Sequence, residues 1–134
     1  MKKIRRVIIH CSATPEGRDV TSVDIRRWHI NRGWNDIGYH YVIRLDGTLE
    51  YGRSPTVQGA HVKGQNEDSL GVCYIGGMRD GEAADTMTQS QEDTMRELMC
   101  SLRLVFGDIE FSGHNEYSSK RCPSFNVKER FENF

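Results

Sequence analysis

The stretch LGVCYI, residues 70–75, decides the fold class of this chain. It is short and apolar at nearly every position, which is typical of a central strand that is buried on both faces. A sheet built around such a strand needs a layer of helices on each side. Amphipathic patterns occur both before and after it in the sequence, and they predict those two layers.

Two helices are predicted from their caps and their periodicity. The first begins at Thr21 or Ser22, residue types that cap helices, and runs through Ile30. The second follows Thr88, which has Gln91 three residues later in a capping-box pattern. Its apolar residues recur at the spacing of one helix face: Met95, Leu98, Met99, Leu102, and Val105 or Phe106.

Further strand patterns complete the sheet. Residues 4–10 are rich in β-branched side chains and end at His10. Residues 39–45 and 48–53 flank the dipeptide Asp46-Gly47, which predicts a hairpin turn. Residues 109–112 form a short strand pattern near the end of the chain.

The order of elements is strand, helix, hairpin, strand, helix, strand and a helical tail. It predicts one mixed sheet flanked by helices, in the α/β or α+β class, within a single domain of residues 1–134. The segments 13–20 and 76–86 carry the glycine and proline punctuation of loops.

Composition excludes several classes of protein. The 134 residues include 18 Lys+Arg and 19 Asp+Glu, a net charge of -1, which argues against a nucleic-acid-binding module. The longest apolar runs are far shorter than the ~20 residues that span a bilayer. The basic N-terminal residues are followed by His10 and Ser12 before any apolar core develops, so we expect no signal peptide and synthesis in the cytoplasm.

The four cysteines are widely and irregularly spaced, which does not indicate a disulfide framework. Cys73 lies in the apolar central stretch and Cys100 within the second helix pattern, so both are expected to be small buried side chains. Cys11 and Cys122 differ from them because each lies near a histidine in sequence.

Two predicted strands lead into a histidine. His10 closes the first strand and His114 follows the last one, at the strand ends where α/β proteins usually bind ligands. Cys122 comes eight residues after His114. Two imidazoles and a thiolate suit a zinc ion that keeps its fourth position for water. On spacing alone, hydrogen-bonded histidines and a buried thiol remain an equal alternative.

Two further residues have side chains suited to amide hydrolysis. Lys120 would place a positive charge near a developing oxyanion, and Tyr39 would orient water or transfer a proton. A solvated lysine and a packing tyrosine are the alternatives. A cysteine nucleophile, Cys11 or Cys122, with a histidine base is a competing chemistry. Adjacent strand residues point to opposite faces, so His10 and Cys11 are not expected to meet.

Several motifs occur together and in one order along the chain. They are HCSAT from His10, GWNDIGYHYVI from Gly33, DGTLEYGR from Asp46, SLGVCYIGG from Ser69 and GHNEYSSKRCPSF from Gly113. In this combination the chain resembles the type 2 family of zinc-dependent N-acetylmuramoyl-L-alanine amidases, with the phage lysozymes as the most similar group. The same fold includes the peptidoglycan recognition proteins of animals. The resemblance covers residues 4 to about 128.

The resemblance implies a reaction and a site. The reaction hydrolyses the amide between the lactyl group of N-acetylmuramic acid and L-alanine in peptidoglycan, with one zinc ion per chain. By the resemblance, the three zinc ligands are His10, His114 and Cys122. The catalytic tyrosine is Tyr39, and the lysine that stabilises the transition state is Lys120. His61 and Asn66 border the substrate groove. His29 is expected to pack within its helix, and His40 to face away from Tyr39.

Other functions remain open at this point. A non-catalytic module would bind muropeptides without cutting them, although such relatives typically lack the cysteine ligand that Cys122 matches. Some phage members of the family also bind a polymerase, for which nothing in this sequence speaks. A phage endolysin released through a holin fits the absence of an export signal, and a secreted amidase toxin is the alternative. The expected partner is peptidoglycan, with neither nucleic acid nor membrane.

Overall fold

The computed structural model describes residues 3–134, so the first two residues of the predicted domain lie outside the described part. The strands and α-helices follow one another along the chain as β1 (Arg6–Cys11), β2 (Thr14–Pro15), α1 (Ser22–Asn31), β3 (Tyr41–Ile43), β4 (Leu49–Tyr51), β5 (Ser69–Tyr74), β6 (Gly77–Arg79), β7 (Glu82–Ala83), α2 (Gln89–Phe106), β8 (Glu110–Gly113) and α3 (Val127–Arg130).

The main sheet has five strands in the order β4-β3-β5-β1-β8. Strand β5 lies in its middle, and all six of its residues are buried, as the apolar run at 70–75 predicts. Strands β3, β5, β1 and β8 run parallel, and β4 pairs antiparallel with β3 at the edge. The mixed sheet and the hairpin are therefore confirmed.

Both long helices begin at the residues that their caps predict. Thr21 caps α1 and Thr88 caps α2, each within a reciprocal capping box. Gln91 has a second role that its place in the capping pattern does not reveal. Its side chain is fully buried, and its Nε2 donates a hydrogen bond to the carbonyl of Ile75 at 2.9 Å, which ties α2 to the chain just after β5.

The sheet is packed on both faces. One face carries Val7, Ile9 and Tyr74 into a core shared with Met95 and Leu98 of α2. The opposite face forms a smaller core near α1 that includes the side chains of Val20, Ile25, Ile37, Val42, Cys73 and Ile75. The helical layers predicted from the central strand are thus present on both sides. No helix within residues 3–134 is both long and apolar enough to cross a membrane.

The predicted loops at 13–20 and 76–86 are wrong in part. Strands β2, β6 and β7 form a small second sheet in the order β2-β6-β7. These strands are two or three residues long, too short for an alternating pattern to appear in sequence. The turn between β6 and β7 places Asp80 and Gly81 at positive φ.

The prediction that Cys100 is buried is also wrong. Its side chain is exposed because position 100 lies off the stripe of α2 that faces the sheet, whereas Met95, Leu98, Met99 and Leu102 are buried. Cys73 is fully buried, as predicted.

Truncating a side chain on the buried face of α2 is expected to lower the free energy of unfolding much more than truncating one on its exposed face. Met95→Ala removes a fully buried side chain and should lower the free energy of unfolding by about 2–5 kcal/mol, because it leaves a cavity beneath α2. Cys100→Ser is the control on the exposed face and should change it by less than about 0.5 kcal/mol. Urea unfolding of both variants measures the difference, and equal losses would contradict this assignment of the two faces.

Candidate active site

The pairing of β1 with β8 brings two histidines together. Ile9 is in register with Gly113, the last residue of β8, so His10 and His114, the residues that follow them, lie side by side at the carboxyl edge of the sheet. Their ring centroids are 4.7 Å apart. The structure therefore brings together the two histidines that the sequence places at strand ends, and their role as ligands stays a prediction.

The third candidate ligand comes from the loop after β8. The backbone N–H of Cys11 donates a hydrogen bond to Sγ of Cys122 at 3.1 Å. The Tyr74 hydroxyl donates to the carbonyl of Pro123 at 2.6 Å, and the Asn115 amide donates to the carbonyl of Phe125 at 3.1 Å. These contacts fold the loop back over the end of β1 and hold the sulfur beside the histidines.

The three side chains form a cluster suited to a metal ion. One donor atom from each of His10, His114 and Cys122 lies within 4.8 Å of the other two. Nδ1 of His114 is buried and has no hydrogen-bond partner among the described residues. The alternative in which both histidines are satisfied by hydrogen bonds therefore does not hold for His114. A set of two nitrogens and one sulfur fits Zn²⁺ and leaves one position of a tetrahedral site for water or substrate.

Burial sets the ionisation of this cluster. It lowers the pKa of His10 well below its ordinary value, and the neighbouring His61, His114 and Lys120 lower it further. Burial, followed by the charge of Lys120, also lowers the pKa of His114. Both rings are therefore neutral at pH 7, the form that binds a metal. A hydrogen bond with the Cys11 thiol, together with burial, raises the pKa of the Cys122 thiol, an effect that a bound cation would reverse.

A cavity of about 200 Å³ opens beside the cluster. Tyr39 forms part of its wall, with its ring 5.0 Å from that of His10 and 5.6 Å from that of His29. Burial, and after it the neighbouring Cys73, raises the pKa of Tyr39 well above its ordinary value. The phenol is consequently a hydrogen-bond donor at neutral pH. The complete lining of this cavity is Cys11, Ser12, Ala13, Ile25, Trp28, His29, Arg32, Tyr39, His114, Lys120 and Cys122.

A second cavity of about 520 Å³ adjoins the first, since His114 and Lys120 line both. Trp34, Lys63 and Tyr117 give it an aromatic and partly basic wall. We refer to the two cavities together as the groove, and His114 of the cluster lines both of them. Lys120 is exposed at their junction, where its backbone N–H donates to the Ser118 hydroxyl at 3.2 Å.

His61 and Asn66 both line the second cavity, but their hydrogen bonds point into the protein. Nδ1 of His61 lies 2.9 Å from Nε2 of His10, so His61 forms a hydrogen bond with one of the three candidate metal ligands. Asn66 Oδ1 accepts hydrogen bonds from the backbone N–H groups of His61 and Val62. The sequence patterns gave no indication of this supporting role, because it depends on how the 60–69 segment folds against β1. A contact of either residue with substrate stays a prediction.

The two histidines expected to lie outside the catalytic cluster do so. His40 is fully buried and lines neither cavity; its Nε2 lies 2.7 Å from the carbonyl of Val57. His29 packs against Trp34 and accepts the Gly38 N–H at 2.9 Å through Nδ1, although one edge of its ring also lines the first cavity. The side chain of Cys11 belongs to the core on the α2 side, which agrees with the expectation that it does not pair with His10.

The fold and the site together define an α/β protein with a cluster of side chains suited to binding a metal ion at the carboxyl edge of its sheet. Residues 1–125 match the family model described as N-acetylmuramoyl-L-alanine amidase. The chain belongs to that family, and it is an amidase by class.

Individual members of this family and of related structures are also similar to this chain. The endolysin of Klebsiella phage KP32 is 40% identical over 128 residues, which cover 95% of this chain and 85% of that protein. The structure of the N-acetylmuramoyl-L-alanine amidase LysC from Clostridium intestinale superposes with a TM-score of 0.82 at 24% identity, over 97% of this chain and 86% of LysC. A point variant of Drosophila PGRP-LB in complex with tracheal cytotoxin gives 0.78 at 27% identity, over 100% and 83%.

The neutral state of His29 predicts a dependence of stability on pH. Burial, then Arg32 and Arg53, lowers its pKa to about 4, below the ordinary 6.5 that it regains on unfolding. The unfolded chain therefore binds more protons at pH 5, and stability falls as the pH falls from about 6.5 towards 4. In His29→Gln the loss between pH 7 and 5 should be smaller by on the order of 1 kcal/mol, because solvent in the cavity screens part of the effect. Urea unfolding at both pH values tests this, and an unchanged loss would rule it out.

Proposed function

We propose that this amidase is a zinc-dependent phage endolysin that hydrolyses the bond between N-acetylmuramic acid and L-alanine in peptidoglycan. The observation that carries the proposal is the convergence of His10, His114 and Cys122, with the buried Nδ1 of His114 lacking a hydrogen-bond partner among residues 3–134. The endolysin relative and the match to the amidase family support the substrate. The proposal treats residues 1–134 as one catalytic domain.

The chain would hold one zinc ion through His10, His114 and Cys122. Bound there, Zn²⁺ acts as a Lewis acid and lowers the pKa of a coordinated water to about 7. The backbone N–H of Cys11 donates to the Cys122 sulfur and stabilises its negative charge. The low pKa values of the two histidines keep their rings available as ligands.

Tyr39 and Lys120 both line the first cavity and are proposed to act on the reacting amide there. The protonated Tyr39 phenol donates a hydrogen bond at the first cavity, either to the attacking water or to the scissile carbonyl. The Lys120 ammonium, at the junction of the two cavities, stabilises the negative charge that develops on that carbonyl oxygen. His61 and Asn66 remain proposed borders of the groove, alongside Lys63 and Trp34.

A binding module without catalysis is the second candidate. The structural relative in complex with tracheal cytotoxin favours a groove that accepts peptidoglycan fragments. Catalysis is the stronger proposal because the metal-binding cluster adjoins the Tyr39 phenol and the Lys120 ammonium. As an endolysin, the protein would be made in the cytoplasm and would reach the wall through a holin-type pore, with peptidoglycan as its partner.

Digestion of purified sacculi tests the proposal. We expect new free amino termini of L-alanine, found by mass analysis of the fragments, and their loss when zinc is chelated. Cys122→Ala removes one ligand and should lower both the zinc content and the activity to near background. Cys100→Ala is the matched control on an exposed helix face and should retain both. Zinc-loaded protein that binds sacculi but leaves them intact would instead support the binding module.

Lys120→Ala tests the proposed stabilisation of the oxyanion. The variant should keep its zinc and lose about 10²–10³-fold in kcat, because a charge near the transition state is removed while the ligands remain. Arg121→Ala is the control, since Arg121 is the next residue, is exposed and lines neither cavity. Comparable kcat values for Lys120→Ala and the wild type would refute this role.

A further inference from the structure

We propose that His61 and Ser69 form a relay that fixes the ring tautomer of His10 and so directs its Nδ1 lone pair to the metal cluster. The inference rests on the proposed function in one respect, that His10 is a metal ligand. Neither His61 nor Ser69 would touch the metal or the reacting bond through this relay, so both are positioning residues.

The direction of the relay is set at Ser69. Its hydroxyl has a single proton, which it donates to the carbonyl of Gln65 at 2.6 Å. Its oxygen also lies 3.3 Å from Nε2 of His61. Because the hydroxyl proton is already committed, this second contact requires that Nε2 of His61 carries the hydrogen and donates it.

The same argument continues from His61 to His10. A neutral imidazole protonated on Nε2 has a bare Nδ1, which can only accept. Nδ1 of His61 lies 2.9 Å from Nε2 of His10, so Nε2 of His10 must be the donor. The remaining nitrogen of His10, Nδ1, then has a free lone pair. The Gln65 carbonyl thus determines, through the Ser69 hydroxyl and the His61 ring, which nitrogen of His10 carries the proton.

The two ends of the relay are buried, and the partly exposed His61 ring between them is closely packed against β5. Ser69 is fully buried, and His10 is 1% exposed. A Cβ on Gly71 would lie 2.7 Å from the His61 ring, so only glycine leaves room for that ring against β5. Asn66 fixes the backbone of His61 from the other side by accepting its N–H at 2.9 Å. The ring of His61 therefore has little room for another rotamer, whereas its tautomer is set by its hydrogen bonds with Ser69 and His10.

A neutral imidazole differs from the usual partner of a metal-binding histidine. Carboxylates and backbone carbonyls commonly accept this hydrogen bond, and a carboxylate also makes the ligand more basic. His61 orients His10 without placing a negative charge beside it. The relay therefore orients His10 without neutralising part of the positive charge that a bound metal ion would present to the substrate carbonyl.

Long-range ¹H–¹⁵N correlation spectra of the full-length protein test the tautomers directly, with and without zinc. We expect His61 to carry its proton on Nε2 in both states, and His10 to carry its proton on Nε2. A proton on Nδ1 of His61 would overturn the proposal. This result is independent of amidase activity, so it separates failure of the relay from failure of the proposed function.

Ser69→Ala tests the consequence for the metal. Removing the hydroxyl should take away the acceptor that fixes the tautomer of His61. We expect zinc binding to weaken by about 10- to 100-fold, measured by competition with a chromogenic chelator. Thr86→Val is the matched control: Thr86 is also buried, and its hydroxyl accepts a backbone N–H from Gly77 at 2.7 Å instead of contacting the relay. Its zinc affinity should stay within about twofold of the wild type.

Two outcomes of the variant experiment would count against the relay. One is an unchanged zinc affinity in Ser69→Ala, and the other is an equal loss in Thr86→Val, which would trace the effect to general destabilisation. If Ser69→Ala does not fold, the tautomer of His61 in the wild-type protein still decides the question.

Discussion

The site depends on the parallel pairing of β1 with β8. That register sets Ile9 opposite Gly113 and so places His10 next to His114. In a strand, a shift of one residue turns every side chain to the other face, so a slipped β8 would point His114 away from His10. The pairing is held by apolar side chains on the α2 face, where Val7 and Phe111 are in register and both buried. Packing on one face of the sheet thus determines the relative positions of the two histidines at its edge.

The same core also fixes Cys122. Tyr74 ends β5 within the α2-side core, and its hydroxyl reaches the carbonyl of Pro123 beside the ligand loop. The fold therefore brings the three side chains together and leaves Nδ1 of His114 buried, with no hydrogen-bond partner among residues 3–134. A metal ion bound at the cluster would give that nitrogen a partner, and a buried polar atom left without one costs about 1–3 kcal/mol.

Sequence patterns predicted those elements that have strong local signals. The central strand is recognisable from its continuous apolar run, and α2 from the Thr88 cap and the stripe that begins at Met95. Strands β2, β6 and β7 are too short to show a period, and the exposure of Cys100 depends on the rotation of its helix. The candidate ligands were recognised from motifs, whereas the support of His10 by His61 arises only from tertiary contacts.

The two cavities constrain how a long substrate can lie in the groove. His114 and Lys120 line both cavities, so a ligand that occupies both would pass beside these two residues. Tyr39 lines only the first cavity, whereas Lys63 and Trp34 line only the second. Under the proposed function, a ligand with a sugar on one side of its amide and a peptide on the other would place that amide beside His114 and Lys120, the two residues that line both cavities. At that position the lysine would lie where negative charge is proposed to develop on the amide oxygen, so binding and charge stabilisation would depend on the same part of the groove.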